Sequence, residues 1–284
     1  MRFVMAHEGG KQHLGVVEGD KAIFIAEPAS LMDVIKGGPA ALKTAKAAAD
    51  KGKASAKPLA SLKYAQPIHN PGKVVCLGLN YAAHAAEGGH KAPDYPAFFI
   101  RVNTSLIAAG EPLIRPHVSE QLDYECELMV VIGKRARYVS EAKALDHVFG
   151  YTLFNDGSVR NYQRKSTQWT MGKNFDRTGP VGPVVVTPDE LPPGCVGLNI
   201  ETRLNGKVLQ HSNTSSMLVS VAKAIHLLSE GMTLEPGDMI AMGTPEGVGH
   251  ARKPPLWMKP GDVVEIEVEK IGILRNPVAD EDGA

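Results

Sequence analysis

Short runs in which apolar and polar residues alternate dominate the chain. Near the start, residues 2–6, 13–17 and 21–25 are three such runs with glycines between them, and they predict strands. Residues 30–36 have helical spacing, with Ser30 as cap and Gly37-Gly38 as stop, and the Ala/Lys-rich stretch 40–51 predicts a surface helix. Residues 59–64 predict one more strand before Pro67 and Pro71. From Lys73 onward, strands and Pro/Gly turns prevail. Residues 234–240 and 258–264 are alike, each a Pro-Gly turn leading into an apolar strand. Residues 215–230 predict the one strong helix there, with Met217, Leu218, Val221, Ala224, Ile225 and Leu228 on its apolar face. The acidic tail from Pro277 is expected to fray. The fold class expected is α+β and β-rich, with a small N-terminal α+β domain over 1–68 and a larger, strand-rich domain over 69–284.

Residues 122–133 carry the most informative pattern. In one extended strand Leu122, Tyr124, Cys126 and Leu128 share a face, and Asp123, Glu125 and Glu127 the other. Residues 129–132 are apolar on both faces, which predicts burial. Two carboxylates where a strand enters a core need a counter-charge, and a hard divalent cation is the simplest one. Residues 263–269 show the same alternation with Glu265, Glu267 and Glu269, and read as a half-exposed strand with a solvated acidic side. Glu-x-Glu alone is therefore weak.

Its company adds weight. Residues 154–163 read as an Asn-Asp-Gly turn and a helix capped by Ser158, with Arg160 and Gln163 on one side. Asp156 is then a candidate third oxygen ligand, with Arg160 and Gln163 beside it for an anionic substrate. Three carboxylates without a His or Cys pattern favour Mg²⁺, Mn²⁺ or Ca²⁺ over zinc. Lys173 follows Gly172, where a backbone can approach a ligand, though a lone loop lysine is usually just solvated. His84 and Glu87 are i, i+3 neighbours on a short Ala-rich helix closed by Gly88-Gly89. Glu87 could orient the imidazole as a general base for a water, and the glycines permit a lid; the plainer alternative is an exposed pair of no consequence. The Gly-rich turn 243–249 could bring Thr244 near a ligand but lacks the Lys-Ser/Thr ending of a phosphate loop. No dinucleotide fingerprint, nucleophile elbow or catalytic cysteine signature is present.

Composition narrows the classes. Across 284 residues, 43% apolar and 22% charged is ordinary for a globular protein, and 31 basic against 31 acidic residues leave no net charge. No basic block argues for nucleic acid and no run is long enough for a membrane span. Three cysteines, an odd count, fit a reducing, cytoplasmic setting.

Five segments in this order resemble the fumarylacetoacetate hydrolase family over about residues 73–278. They are 78–81 with His84 and Glu87, 123–127, 155–160, 172–176 and 243–249. The resemblance implies a mixed β-sandwich roll, a homodimer, and Mg²⁺ or Mn²⁺ on Glu125, Glu127 and Asp156. It implies His84, Glu87 and Lys173 as catalytic residues, the first two on a segment that orders over bound ligand. Tyr81, Arg160, Gln163 and Thr244 are implied near the substrate. Leu79 stands where many relatives carry Arg, and Arg101 where many carry Lys, so a substrate carboxylate anchor is absent or moved. The expected substrate is a small 2-oxo or 2,4-dioxo acid. The expected reaction is hydrolysis of the C–C bond of an acylpyruvate, maleylpyruvate or fumarylpyruvate in aromatic breakdown, giving pyruvate and a carboxylic acid. Decarboxylation of a 2-oxo acid such as oxaloacetate and isomerisation of a 2-hydroxy-dienedioate are the alternatives. A dimeric metal-dependent binding module is the non-enzymatic one.

Overall fold

The computed structural model describes residues 1–89, 91 and 94–282. The strands β1 (Arg2–Glu8), β2 (Lys11–Glu18) and β3 (Lys21–Ile25) form an antiparallel meander. The helix α1 (Leu31–Gly52) opens on a capping box, Ser30 accepting from the Asp33 N–H and Asp33 from the Ser30 N–H. It joins the two predicted helices across a kink, where Gly38 adopts φ 56° and ψ −141° ahead of Pro39. The strand predicted over 59–64 is reduced to its end. A 3₁₀ turn, Leu59–Ser61, separates β4 (Lys57–Pro58) from β5 (Lys63–Tyr64).

The chain continues through β6 (Val74–Gly78), α2 (Ala82–Glu87), β7 (Ala97–Arg101), β8 (Leu106–Ala108), β9 (Leu113–Arg115), β10 (Leu122–Asp123) and β11 (Cys126–Ile132). Next come α3 (Glu141–Ala144), β12 (Val148–Asn155), β13 (Ser158–Val159), α4 (Arg160–Gln163), α5 (Thr170–Lys173) and β14 (Gly179–Val186). The last elements are β15 (Asn199–Leu204), β16 (Lys207–Asn213), α6 (Val221–Gly231), β17 (Met239–Ala241), β18 (Val263–Val268) and β19 (Gly272–Asp280).

Twelve strands form one mixed sheet, ordered β4-β3-β2-β1-β14-β12-β11-β17-β6-β7 with β5 on β1 and β8 on β14. The N-terminal strands thus share a sheet with the rest, Arg2 pairing with Val186 and Val4 with Val184. A second sheet runs β16-β15-β18-β19-β9, and β10 pairs with β13 alone. β11 is buried along its whole length, as its two-sided apolar run predicted. Leu128 and Val130 join the core that also holds Ile200 and Ile266 of the smaller sheet, while Met129 and Val131 pack in the core that α1 covers with Leu31 and Ile35. That alternation is what a central strand with cores on both faces requires.

Two expectations change. The helix predicted over 215–230 begins only at Val221, capped by Ser220. Ahead of it Asn80 holds the chain extended, its carbonyl accepting from Leu218 N and its side chain from Val219 N, and Leu218 is exposed rather than core. The C-terminal tail is ordered by pairing, since β19 bonds to β18 and, through Val278 to Asp280, to β9. Among the described residues, no helix is long and apolar enough to cross a membrane.

Candidate active site

β11 and β12 pair antiparallel, with Cys126 opposite Asn155. Glu125, just before β11, and Asp156, just after β12, therefore leave the sheet at the same end. The Asp156 N–H donates to the Glu125 carbonyl at 3.0 Å, and the Glu125 N–H to Asn155 Oδ1 at 3.0 Å. Carboxylate oxygens of Glu125, Glu127 and Asp156 consequently lie within 4.8 Å of one another, all three residues buried. The single strand predicted over 122–133 is broken at Tyr124-Glu125. Asp123 is thereby turned away from the cluster and accepts from Gly249 N at 2.7 Å, His250 N at 2.9 Å and Arg160 Nε at 2.8 Å.

The charges are unevenly matched. Lys173 Nζ lies 2.8 Å from Glu125 Oε2 and 2.7 Å from Asp156 Oδ2. Arg101 pairs with Asp156 from behind, and Arg160 Nη2 sits 2.7 Å from Glu125 Oε1 without hydrogen-bond alignment. Burial pushes the Glu125 carboxyl up, but the adjoining Lys173 and Arg160 charges more than reverse this and leave it below the ordinary range. Among the described residues Glu127 has a single hydrogen bond, from Gly243 N at 2.8 Å. Burial, then the charges of Asp156 and Glu125, hold its carboxyl well above the ordinary range. Four buried carboxylates (Asp123, Glu125, Glu127 and Asp156) thus face three cations, and the shortfall falls on Glu127. Hard oxygen donors converging on a deficit of positive charge fit a divalent cation such as Mg²⁺ or Mn²⁺.

The cluster opens into a cavity of about 340 Å³, lined on the acidic side by Glu125, Glu127, Lys173 and Thr244 and on the apolar side by Leu77, Leu79, Phe99 and Trp169. Gly78 is required there, because a Cβ would come 2.2 Å from the Trp169 ring. α2 places His84 over the cavity. His84 Nδ1 is 2.8 Å from Glu87 Oε1, and Glu87 Oε2 accepts from Gly247 N at 2.8 Å. The i, i+3 pair is therefore real, and it is fastened to the Gly-rich turn predicted over 243–249. With Nδ1 committed to the carboxylate, Nε2 is the ring atom left to exchange a proton.

Most of the candidate residues line this one cavity. Arg160 lines the cavity with its guanidinium held by Asp123, Glu125 and Gln163; Nη1 donates to Gln163 Oε1 at 2.9 Å. Ser158 does not cap α4 but lies in β13 and donates to the Asp156 carbonyl at 2.7 Å. Lys173 ends α5 and is buried, not solvated. Tyr81 is not among the cavity's lining residues; it bridges Met217, and its buried hydroxyl has no partner among the described residues. Thr244 accepts from Gln210 Nε2 at 2.9 Å, and Gln210 also takes the Cys126 N–H at 3.1 Å, tying the Gly-rich turn to β11.

Sequence reasoning passed over Gln210, His250 and Trp169, and gave Arg101 and Asn155 no contact in the site. Each acts through a partner far away in the chain, which local spacing cannot reveal. Asp123 alone carried a usable signal, as a third acid at the same alternation.

Comparison with known proteins agrees with this geometry. Residues 73–279 match the model described as "Fumarylacetoacetate (FAA) hydrolase C-terminal". The chain is 38% identical over 275 residues to oxaloacetate tautomerase YisK of Bacillus subtilis (strain 168), covering 92% of this chain and 91% of that protein. It superposes on the fumarylacetoacetate hydrolase of psychrophilic Exiguobacterium antarcticum with a TM-score of 0.85 at 34% identity, over 99% of this chain and 100% of that one. Maleylpyruvate hydrolase from Sphingobium sp. SYK-6, solved with manganese(II) and pyruvate, gives a TM-score of 0.81 at 28% identity, again over 99% and 100%. With its buried acidic triad, its covering His–Glu pair and a family match that spans nearly everything after residue 72, the chain belongs to the fumarylacetoacetate hydrolase family.

Proposed function

We propose that this chain interconverts the keto and enol forms of a small 2-oxo acid of the oxaloacetate type, using Mg²⁺ or Mn²⁺ on Glu125, Glu127 and Asp156. The observation that carries this is the placing of the His84–Glu87 pair and the acidic triad on one cavity. A bound divalent ion supplies Lewis-acid stabilisation of negative charge on the 2-oxo oxygen. His84 Nε2 takes a proton from C3, and Glu87 holds the imidazole and balances the charge it gains. The proton returns to the oxygen at C2, so nothing enters or leaves. Lys173 holds Glu125 and Asp156 in place, because its ammonium donates to both. The apolar wall of Leu77, Phe99 and Trp169 lowers the local dielectric, which strengthens each of these interactions.

The test is the enol absorbance of oxaloacetate at neutral pH with metal-loaded protein. Equilibration accelerated well beyond the metal-only blank supports the reading; an unchanged rate contradicts it. Hydrolysis of an acylpyruvate is the second reading, favoured by the likeness to maleylpyruvate hydrolase and by the same base, which could activate a water instead. It predicts that acetylpyruvate is split into pyruvate and acetate, with one labelled oxygen from H₂¹⁸O in the acetate.

The active form in this proposal is a homodimer. β7 ends the large sheet, with Ile100 and, just after the strand, Val102 exposed, an edge that a second copy could cover. Light scattering at micromolar concentration should give twice the chain mass, and a monomer would contradict it.

A further inference from the structure

Three permanently charged cations line the cavity: Arg160, Lys173 and Arg164. The first two are consumed, Arg160 by Asp123 and Glu125 and Lys173 by Glu125 and Asp156. Arg164 differs. Its backbone N–H bonds to the Arg160 carbonyl at 3.2 Å, and its guanidinium makes no ion pair or side-chain hydrogen bond among the described residues. Among the described residues, Glu125 and Glu127 are the acids on the wall, and both belong to the buried triad.

We propose that Arg164 is the specificity-determining residue of the cavity, receiving the second carboxylate of a short 2-oxo dicarboxylate whose oxo-acid end lies at the triad. This rests on the 2-oxo acid reading above and adds the residue that receives the far end of the substrate. Charge supplies the first argument. Four buried carboxylates against three cations leave one negative charge, and a divalent ion turns that into one positive charge. One carboxylate then brings the inner site to neutrality, so a second one needs a cation of its own. Arg164 is the cation on the wall that has no other commitment.

Geometry supplies the second. Arg164 follows Arg160 by one helical turn, as the backbone bond between them records, so their side chains leave the same face about 5–6 Å apart at Cβ. Arg160 is fixed on the triad through Glu125, so Arg164 stands one short carbon chain further out. A guanidinium with an open fork binds a planar carboxylate through two parallel bonds, which an ammonium cannot do. Trp169 and Phe99, edge to face with centroids 5.5 Å apart, give the intervening carbons an apolar wall.

Calorimetric titration of the Mg²⁺-loaded protein tests this with two pairs of acids. Oxaloacetate against 2-oxobutyrate, and 2-oxoglutarate against 2-oxovalerate, each differ in a terminal carboxylate replaced by methyl. The wild type should prefer the diacid of at least one pair by tenfold or more. Arg164→Gln should erase that preference through the diacid alone, monoacid affinity moving less than twofold, and Arg164→Lys should restore part of it. A preference that survives R164Q, or an equal loss for diacid and monoacid, overturns the assignment of Arg164 while leaving the 2-oxo acid site standing. Failure of all four acids to bind the wild type overturns the 2-oxo acid reading and this proposal with it. Arg164 is exposed, so unchanged thermal unfolding of R164Q should exclude a folding defect.

Discussion

The ammonium of Lys173 lies 2.8 Å from Oε2 of Glu125, and the same nitrogen is 2.7 Å from Asp156, so one lysine links the two arms of the acidic triad. Burial alone would lower the pKa of this lysine. The charges of Asp156 and Glu125 outweigh burial and raise it, so the ammonium is held charged. Lys173→Met should therefore destabilise the metal-free protein by about 3–5 kcal/mol, the usual cost of stranding a buried charge. Added Mg²⁺ should recover more stability in K173M than in the wild type, because the variant's triad is more negative. Urea unfolding with and without Mg²⁺ measures both; equal metal stabilisation in the two proteins would contradict the linkage.

Glu127 sets the pH dependence. Its folded carboxyl titrates above the unfolded value, so between the two the folded chain keeps a proton that the unfolded chain has lost. The stability this proton confers is complete below the unfolded pKa and declines as pH rises through the folded one. A divalent ion competes with that proton. Its stabilising effect should therefore grow from pH 6 to pH 8 in the wild type, and less so in Glu127→Gln. Thermal unfolding at the two pH values, with and without Mg²⁺, reads this directly; a metal shift that shrinks with rising pH would have the wrong sign.

Proton transfer and metal holding are assigned to different residues, so they should separate. His84→Asn should lower kcat for enol formation by about 10²–10⁴-fold, the range for losing a positioned general base. Glu87→Gln should cost less, since the amide can still accept from Gly247 N but no longer balances the imidazolium. Stopped-flow absorbance gives the rates and Mn²⁺ titration the metal affinity, which neither variant should alter by more than a few-fold. A large loss of metal affinity in H84N would place His84 in the wrong role.

How far the sequence could be read is clearest from its two Glu-x-Glu strands. In β18, Glu265 and Glu267 share Arg203 with Glu201 on a half-exposed face, as the solvated reading predicted. At the entrance to β11 the same spacing is buried and meets Asp156, which follows β12. Alternation told which residues share a face; it could not tell what lies opposite, because strand pairing is long-range. The break at Tyr124-Glu125 escaped for a related reason. Asp123 is drawn off by the backbone of Gly249 and His250, more than a hundred residues away. The contact between His84 and Glu87, being local, was legible from its spacing, but its anchor at Gly247 was not. The helix over 215–230 was overextended because its apolar spacing continues into a segment that Asn80 holds extended.

The central claim is that Glu125, Glu127 and Asp156 together hold one divalent ion. Titration of the metal-free protein with Mn²⁺, with free ion read by electron paramagnetic resonance, tests it most directly in wild type and Glu127→Gln. One Mn²⁺ per chain in the wild type, with affinity at least tenfold weaker in an E127Q protein that remains folded, is the result predicted. Equal binding by the two proteins, or none by the wild type, would contradict it.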